Sequence, residues 1–285
     1  MKNKILNKNI LVIGDSIIDK DFHVENSGKS LETDSIKTKF IKQTIDLGGA
    51  SRTVNFLSNF DINIEFFTNL QVDYFTEFND IYSKLKIHQT DTVSAVEKLR
   101  IKMKKGNQLI TVFQINKDFE SLHKSYSEIF NIHNKNYDIV LINDYRTGMF
   151  DKKLIKIVNE LDYKKIVFAS QLSSNNLNIC NYSNFHILIL NKFEFESEFN
   201  LQFDLNHNYS SIFNNKMEKV IVTLGDEGAV LITKEENTYF STKSKKFNNT
   251  IGAGDVFVGS YLLYEDINLA NLHTLNFLEE LNEGL

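Results

Sequence analysis

The run Asn249, Thr250, Ile251, Gly252, Ala253, Gly254, Asp255, followed by the apolar stretch Val256 to Tyr264, places a carboxylate beside a cluster of backbone amides. Small residues let a helix begin abruptly, so its first N–H groups lack intrahelical partners and the positive end of its dipole faces outward. A phosphate fits such a cup. Asp255, in the first turn, then stands where it can take a proton from a hydroxyl attacking that phosphate, which is the division of labour of phosphoryl transfer. Taken alone, the same residues describe a Gly-rich turn whose Asp favours a helix N-terminus. The rest of the chain must decide between the two.

Three further segments carry candidate chemistry. Gly14, Asp15, Ser16, Ile17, Ile18, Asp19 follows a short apolar run, a place where side-chain oxygens meet sugar hydroxyls, and Asp19 is the better candidate. It is equally an Asp that caps a turn. Leu47, Gly48, Gly49, Ala50, Ser51 is a second small-residue entry into a helix, where backbone can approach a ligand or simply pack tightly on a sheet. Ile221 to Gly228 sits between two apolar runs; Thr223 and Gly225 could cradle phosphates there, or the segment is a hairpin turn.

The elements that must position these residues alternate. Strand patterns cover 9–13, 63–68, 138–142, 165–169 and 186–190, and helical spacing covers 50–60, 152–161 and 193–200. This predicts an α/β fold with a mainly parallel central sheet and helices on both faces, whose ligand crevice lies at the carboxyl ends of the strands. Two segments break the alternation and read as β-structure: 21–46, and 97–116 with its Lys105, Gly106, Asn107 turn. They suit a small β-lid over the crevice, or a β-extension used for dimer packing, and the two uses are compatible. The Asn-rich stretch 173–184 reads as a polar loop with a helical piece inside it.

With 285 residues and 42% apolar content the chain can bury a full core as a single domain, 1–285. Its net charge of −5, with lysines scattered, argues against nucleic acid or an anionic membrane as the main partner. One cysteine, Cys180, allows no internal disulfide and no cysteine-based zinc cluster, which suits the cytoplasm. The apolar run 10–13 is too short for a signal peptide or a spanning helix, so a cytoplasmic location is expected.

Taken in order, these segments resemble the ribokinase-like sugar kinases, the phosphofructokinase B type family, from Asn9 to about Tyr264. Asp19 matches the family's sugar-binding Asp, Gly48 and Gly49 its Gly-Gly helix entry, Asn191 and Glu194 its Asn-x-x-Glu motif, and Thr223, Gly225 and Gly228 its Thr-x-Gly-x-x-Gly segment. The resemblance implies a ribokinase-like fold with ATP as donor and a sugar or sugar phosphate as acceptor. It implies Asp255 as catalytic base, Gly252, Ala253 and Gly254 as the anion hole, Asn191, Thr223, Gly225 and Gly228 at the nucleotide, and Glu194 arranging Mg2+ through water. Within the family the chain is most similar to heptose-phosphate kinase domains that precede nucleotidyltransferases in making activated heptose for surface polysaccharides. The Gly14, Asp15 start, the Glu97 to Arg100 strand with Asn107, Gln108, Leu109, and the Asp144, Tyr145, Gly148 segment carry that similarity. Arg52, Lys98 and Arg100 are then the residues to meet a substrate phosphate, with Asp144 beside them, and a homodimer through the β-lid is the expected assembly.

The chain departs from the family at several points. Arg52 stands where an Asn is usual; it either grips a more acidic substrate or occupies the sugar pocket. Asn249 replaces an Asp and removes a charge from a monovalent-cation site. Ala169, Ser170, Gln171 lacks the Asp and Lys usual in heptose kinases, and the segment after Asp255 is short, so the nucleotide end is expected to close differently. A nucleotidyltransferase module is not expected in this chain, so a later activation step is expected to need a separate protein. A catalytically silent relative that binds a sugar phosphate as a regulatory or assembly subunit is the rival expectation. A dinucleotide-dependent oxidoreductase is disfavoured, because the first strand leads into Gly14, Asp15, Ser16 and not into Gly-x-Gly-x-x-Gly.

Overall fold

The computed structural model describes residues 8–70, 74, 78–83, 85–89, 96–105, 108–117, 135–170, 179–214, 216–243 and 245–283. In chain order the first half runs β1 (Asn9–Gly14), β2 (Ser16–Lys29), β3 (Ile36–Gly49), α1 (Ala50–Leu57), β4 (Asn63–Thr68), α2 (Asn79–Tyr82), β5 (Lys86–Gln89), β6 (Val96–Lys105) and β7 (Gln108–Lys117). The second half runs β8 (Ile139–Asp144), α3 (Lys152–Asn159), β9 (Ile166–Ser170), β10 (Ile187–Asn191), α4 (Lys192–Phe199), β11 (Lys219–Thr223), β12 (Gly228–Ile232), β13 (Asn237–Ser241), α5 (Ala253–Tyr264) and α6 (Ile267–Glu283). The expected strands and helices appear, mostly displaced by a residue or two.

The main sheet has nine strands in the order β13-β12-β11-β10-β9-β8-β1-β4-β5, parallel from β11 to β5, with β12 and β13 added antiparallel. Its central strands are apolar on both faces because helices cover both. In β1, Leu11 and Ile13 face one core cluster with Leu154, Val158 and Phe195, while Ile10 and Val12 face the other with Val54, Phe257 and Leu262. A one-residue slip would exchange the two sets, so the register of β1 on β8 and β4 is strongly specified.

The β-rich segments form a second sheet of four strands, β3-β2-β6-β7. It reaches further into the core than 21–46 and 97–116: β2 begins at Ser16, one residue past β1, and pairs with β3 down to Ser16 opposite Gly49. That continuous pairing carries Asp19 and Lys98, directly opposite each other, from the exposed sheet to the mouth of the crevice. The Gly106, Asn107 turn and residues 171–178 lie outside the described residues. Of the Asn-rich stretch, Ile179–Asn181 is a single 3-10 turn.

Candidate active site

The parallel strands end in one crevice. Gly14 closes β1, Asn143 and Asp144 close β8, Asn191 closes β10 and Thr223 closes β11. A cavity of about 780 Å³ opens there, and every site residue expected from the sequence lines it except Asp144.

At its floor α5 begins without a side-chain cap, after Gly252 in the left-handed region at φ 88°. The three-residue amide cup needs one correction. Ala253 donates its N–H to the Thr250 carbonyl at 3.2 Å, because the turn into the helix closes on itself there. Among the described residues the amides of Gly252, Gly254 and Asp255 have no protein partner. Asp255 is buried, and burial pushes its carboxyl up to about 6, although the Tyr145 hydroxyl and the Arg52 guanidinium favour its charged form. Tyr145 donates to Asp255 Oδ1, and burial together with that carboxylate holds the phenol well above its ordinary range. Thr53 of α1 donates to the Asp255 carbonyl at 3.2 Å, tying the two helices together.

Opposite the cup stand the charges of β2, β6 and α1. Asp19 accepts from Arg52 Nη2 through Oδ2 at 3.2 Å and from Arg100 Nη1 through Oδ1 at 2.9 Å. Arg52 Nη2 also lies 3.1 Å from Asp46 Oδ2, and Arg100 lies 3.4 Å from Asp21 and donates to Gln114. Arg52 therefore stands inside the pocket, between Asp19 and Asp255. Lys98 lies in the same wall without a hydrogen bond or ion pair among the described residues, and burial pushes its amine below the usual range. A methyl on Gly48 would come within 2.6 Å of Asp19 Oδ2, so the carboxylate would have to shift away from its arginine partners.

Asp144 is the member that does not reach the cavity. Its carboxylate accepts from the Tyr182 hydroxyl at 2.7 Å and pairs with Arg146 at 3.1 Å, because Arg146, at φ 57°, folds the loop back over it. Beside it, buried Asp15 accepts from the Tyr145 and Met149 amides and the Thr147 hydroxyl. Burial and the neighbouring Asp144 push Asp15 up to about 7. The two carboxylates thus anchor the loop that presents Tyr145, a residue quoted in the sequence for its resemblance but given no role.

At the other end, Asn191 and Glu194 form a capping box on α4: Asn191 Oδ1 accepts from the Glu194 amide at 2.8 Å and Glu194 Oε2 from the Asn191 amide at 2.7 Å. Both still line the cavity. Thr223, Gly225 and Gly228 form a tight hairpin between β11 and β12 whose mouth faces the same space, so the turn and the ligand-facing alternatives coincide. Sequence reasoning missed Lys243, Lys245, Lys246 and Phe247, and Asn271, Thr274, Leu275 and Leu278 of α6, which complete this end. The lysine cluster just before Phe247 was the available signal. The Asn282 side chain of α6 exchanges hydrogen bonds with the Asn249 backbone at 3.0 and 2.9 Å, which ties α6 to the loop leading into α5.

Residues 124–264 match the profile of the pfkB family carbohydrate kinases. Just under half of the chain carries this match, to a pfkB family carbohydrate kinase domain. Among similar proteins is the Bifunctional protein HldE of Helicobacter pylori, 26% identical over 275 residues, covering 90% of this chain and 58% of that protein. The chain thus spans little more than half the length of that relative. Ribokinase of Thermotoga maritima shares the fold at a TM-score of 0.66, with 22% identity over 94% of this chain and 90% of its own. Ribokinase of Arabidopsis thaliana, solved with ribose and ATP, superposes at 0.62 with 15% identity over 91% and 86% of the two chains. No helix among the described residues is long and apolar enough to cross a membrane.

Proposed function

We propose that this kinase transfers the γ-phosphoryl group of ATP to a hydroxyl of a sugar phosphate, with a heptose phosphate as the favoured acceptor. The observation that carries this reading is the placement of Asp255 and the free amides of α5 in one cavity with Asp19, Lys98 and Arg100. ATP enters over the β11–β12 hairpin, its base toward α6 and Phe247 and its phosphates toward Lys243, Lys245 and Lys246. Asp255 accepts the acceptor's proton, and the amides of Gly252 and Gly254 stabilise charge on the transferring group. Lys98, without an ion pair among the described residues, receives the acceptor's phosphate, with Arg100 beside it.

Among the described residues no group of three His, Cys, Asp or Glu could hold a metal ion. That fits Mg2+, which keeps several waters and is carried by substrate phosphates with one or two carboxylates; Glu194, lining the cavity, is the residue to hold its waters. When bound, the ion neutralises phosphate charge. The β2, β3, β6, β7 sheet serves as lid, and its exposed Ile36, Phe40, Phe113 and Ile115 serve as a homodimer surface. The cytoplasm is the proposed location.

Asp255→Asn tests the reading: the variant should fold normally, bind nucleotide and lose turnover by about 10²–10⁴-fold. Wild-type turnover in that variant refutes it. One observation favours a second reading, a silent sugar-phosphate-binding subunit: both oxygens of Asp19 are already held by arginines. A panel of heptose, hexose and pentose phosphates separates the two, since the silent protein binds a ligand and consumes no ATP.

A further inference from the structure

The surroundings of Arg52 give it more to do than meet a substrate phosphate. Its stem crosses the face of Gly252 so closely that a methyl built on that glycine would stand 2.3 Å from Cδ, 2.7 Å from Nε and 2.9 Å from Nη1. Nη2 is held by Asp19 at 3.2 Å and Asp46 at 3.1 Å, which fixes the plane of the guanidinium. The side chain is 9% exposed, and among the described residues its buried Nε–H has no hydrogen-bond partner. The nearest carboxylate oxygen, Asp255 Oδ2, is 3.8 Å away, beyond hydrogen-bond reach. A buried donor left unpaired beside a cup of unpaired amides is a site with one partner missing.

We infer that Arg52 is a catalytic residue of the transfer step, its Nε–H joining the amides of Gly252 and Gly254 in binding the non-bridging oxygens of the phosphoryl group as it moves. The inference rests on the phosphoryl-transfer reading of the cavity. In that step the acceptor oxygen bonds to the γ-phosphorus, the bond from phosphorus to the bridging oxygen breaks, and the leaving electron pair stays on ADP. The acceptor's proton passes to Asp255. Arg52 neither takes nor gives a proton; it balances charge that grows on the phosphoryl oxygens. Burial raises the Asp255 carboxyl, and the closeness of Arg52 works against that rise, since a cation beside it favours the charged form.

The test is steady-state kinetics of Arg52→Ala and Arg52→Lys with the acceptor the wild type uses best. Arg52→Ala should lose about 10²–10³-fold in kcat, the scale seen for removing one donor to a reacting oxyanion, with KM for ATP and acceptor changing less than about threefold. Arg52→Lys keeps the stem and the charge but not the Nε–H donor, so it should fold and remain similarly slow. Added guanidinium ion should restore part of the turnover of Arg52→Ala and none of Asp255→Asn. Full kcat in Arg52→Lys, a loss confined to the acceptor KM, or no rescue by guanidinium overturns the inference while leaving the kinase reading intact. A wild-type chain that turns over no acceptor overturns both.

Discussion

Replacing Gly252 by alanine asks the structure for a definite price. At φ 88° and ψ −1° the residue occupies a left-handed conformation that costs an L-residue roughly 1–2 kcal/mol. The new methyl would also lie 2.3 Å from Arg52 Cδ, where contacting carbons prefer about 3.5–4.0 Å. That atom sits mid-chain in a side chain whose far end is pinned by Asp19 and Asp46, so relief requires the guanidinium to leave its anchors, at roughly 1–3 kcal/mol for a buried donor group left poorly paired. The combined destabilisation is about 3 kcal/mol, and at roughly 2–4 °C per kcal/mol for a chain of this size the Tm should fall by about 10 °C. Gly254→Ala is the control. No heavy atom lies within 4 Å of its added methyl and its φ is unremarkable, so it should melt with the wild type or above it, while the methyl enters the cavity and raises the KM for ATP. Differential scanning fluorimetry and a coupled ADP-release assay read both variants. Equal melting temperatures for the two would refute the packing of Arg52 on Gly252.

Other outcomes follow from the same geometry. Because the base must be ionised and burial pushes Asp255 up to about 6, kcat/KM should rise through an acid limb near pH 6; a limb below pH 5 would contradict the burial argument. Asp15 tests proton linkage: its folded value, about 7, lies above the ordinary 3.8, so folding binds a proton and Asp15 favours the native state most below pH 4, an advantage that fades as pH rises through 7. Urea melts at pH 5 and pH 8 should therefore show a smaller pH-dependent loss in Asp15→Asn than in the wild type, and equal slopes would count against the shift. Lys98→Met should raise the KM for a phosphorylated acceptor by about 10-fold or more, the scale of losing one charged hydrogen bond, and leave the KM for an unphosphorylated sugar nearly unchanged; an equal effect on both would remove Lys98 from the phosphate.

Much of this protein could be read from its residues in order. The apolar runs of β1, β8 and β10 mark strands buried on both faces, and the small residues before Asp255 mark an abrupt helix start, because such signals depend on near neighbours and a period of two or of 3.6. The same locality made Gly48 and Gly49 recognisable as the entry to a helix. Partners were a different matter. Arg52 fits either of two roles by type alone, and only the crossing of α1 beneath β2 and beside α5 put it between Asp19 and Asp255. Asp144 carries a family-like neighbourhood yet turns to Tyr182 and Arg146, while Tyr145, next to it, reaches Asp255 across the fold. Lysines 243, 245 and 246 carried no reading in the sequence and line the cavity only in the folded chain, beside α5 and α6. Element type and motif order follow from local chemistry written along the chain; which charged group faces which is decided only when distant elements share a low-dielectric crevice, where each buried charge must find its opposite or wait for a ligand to supply it.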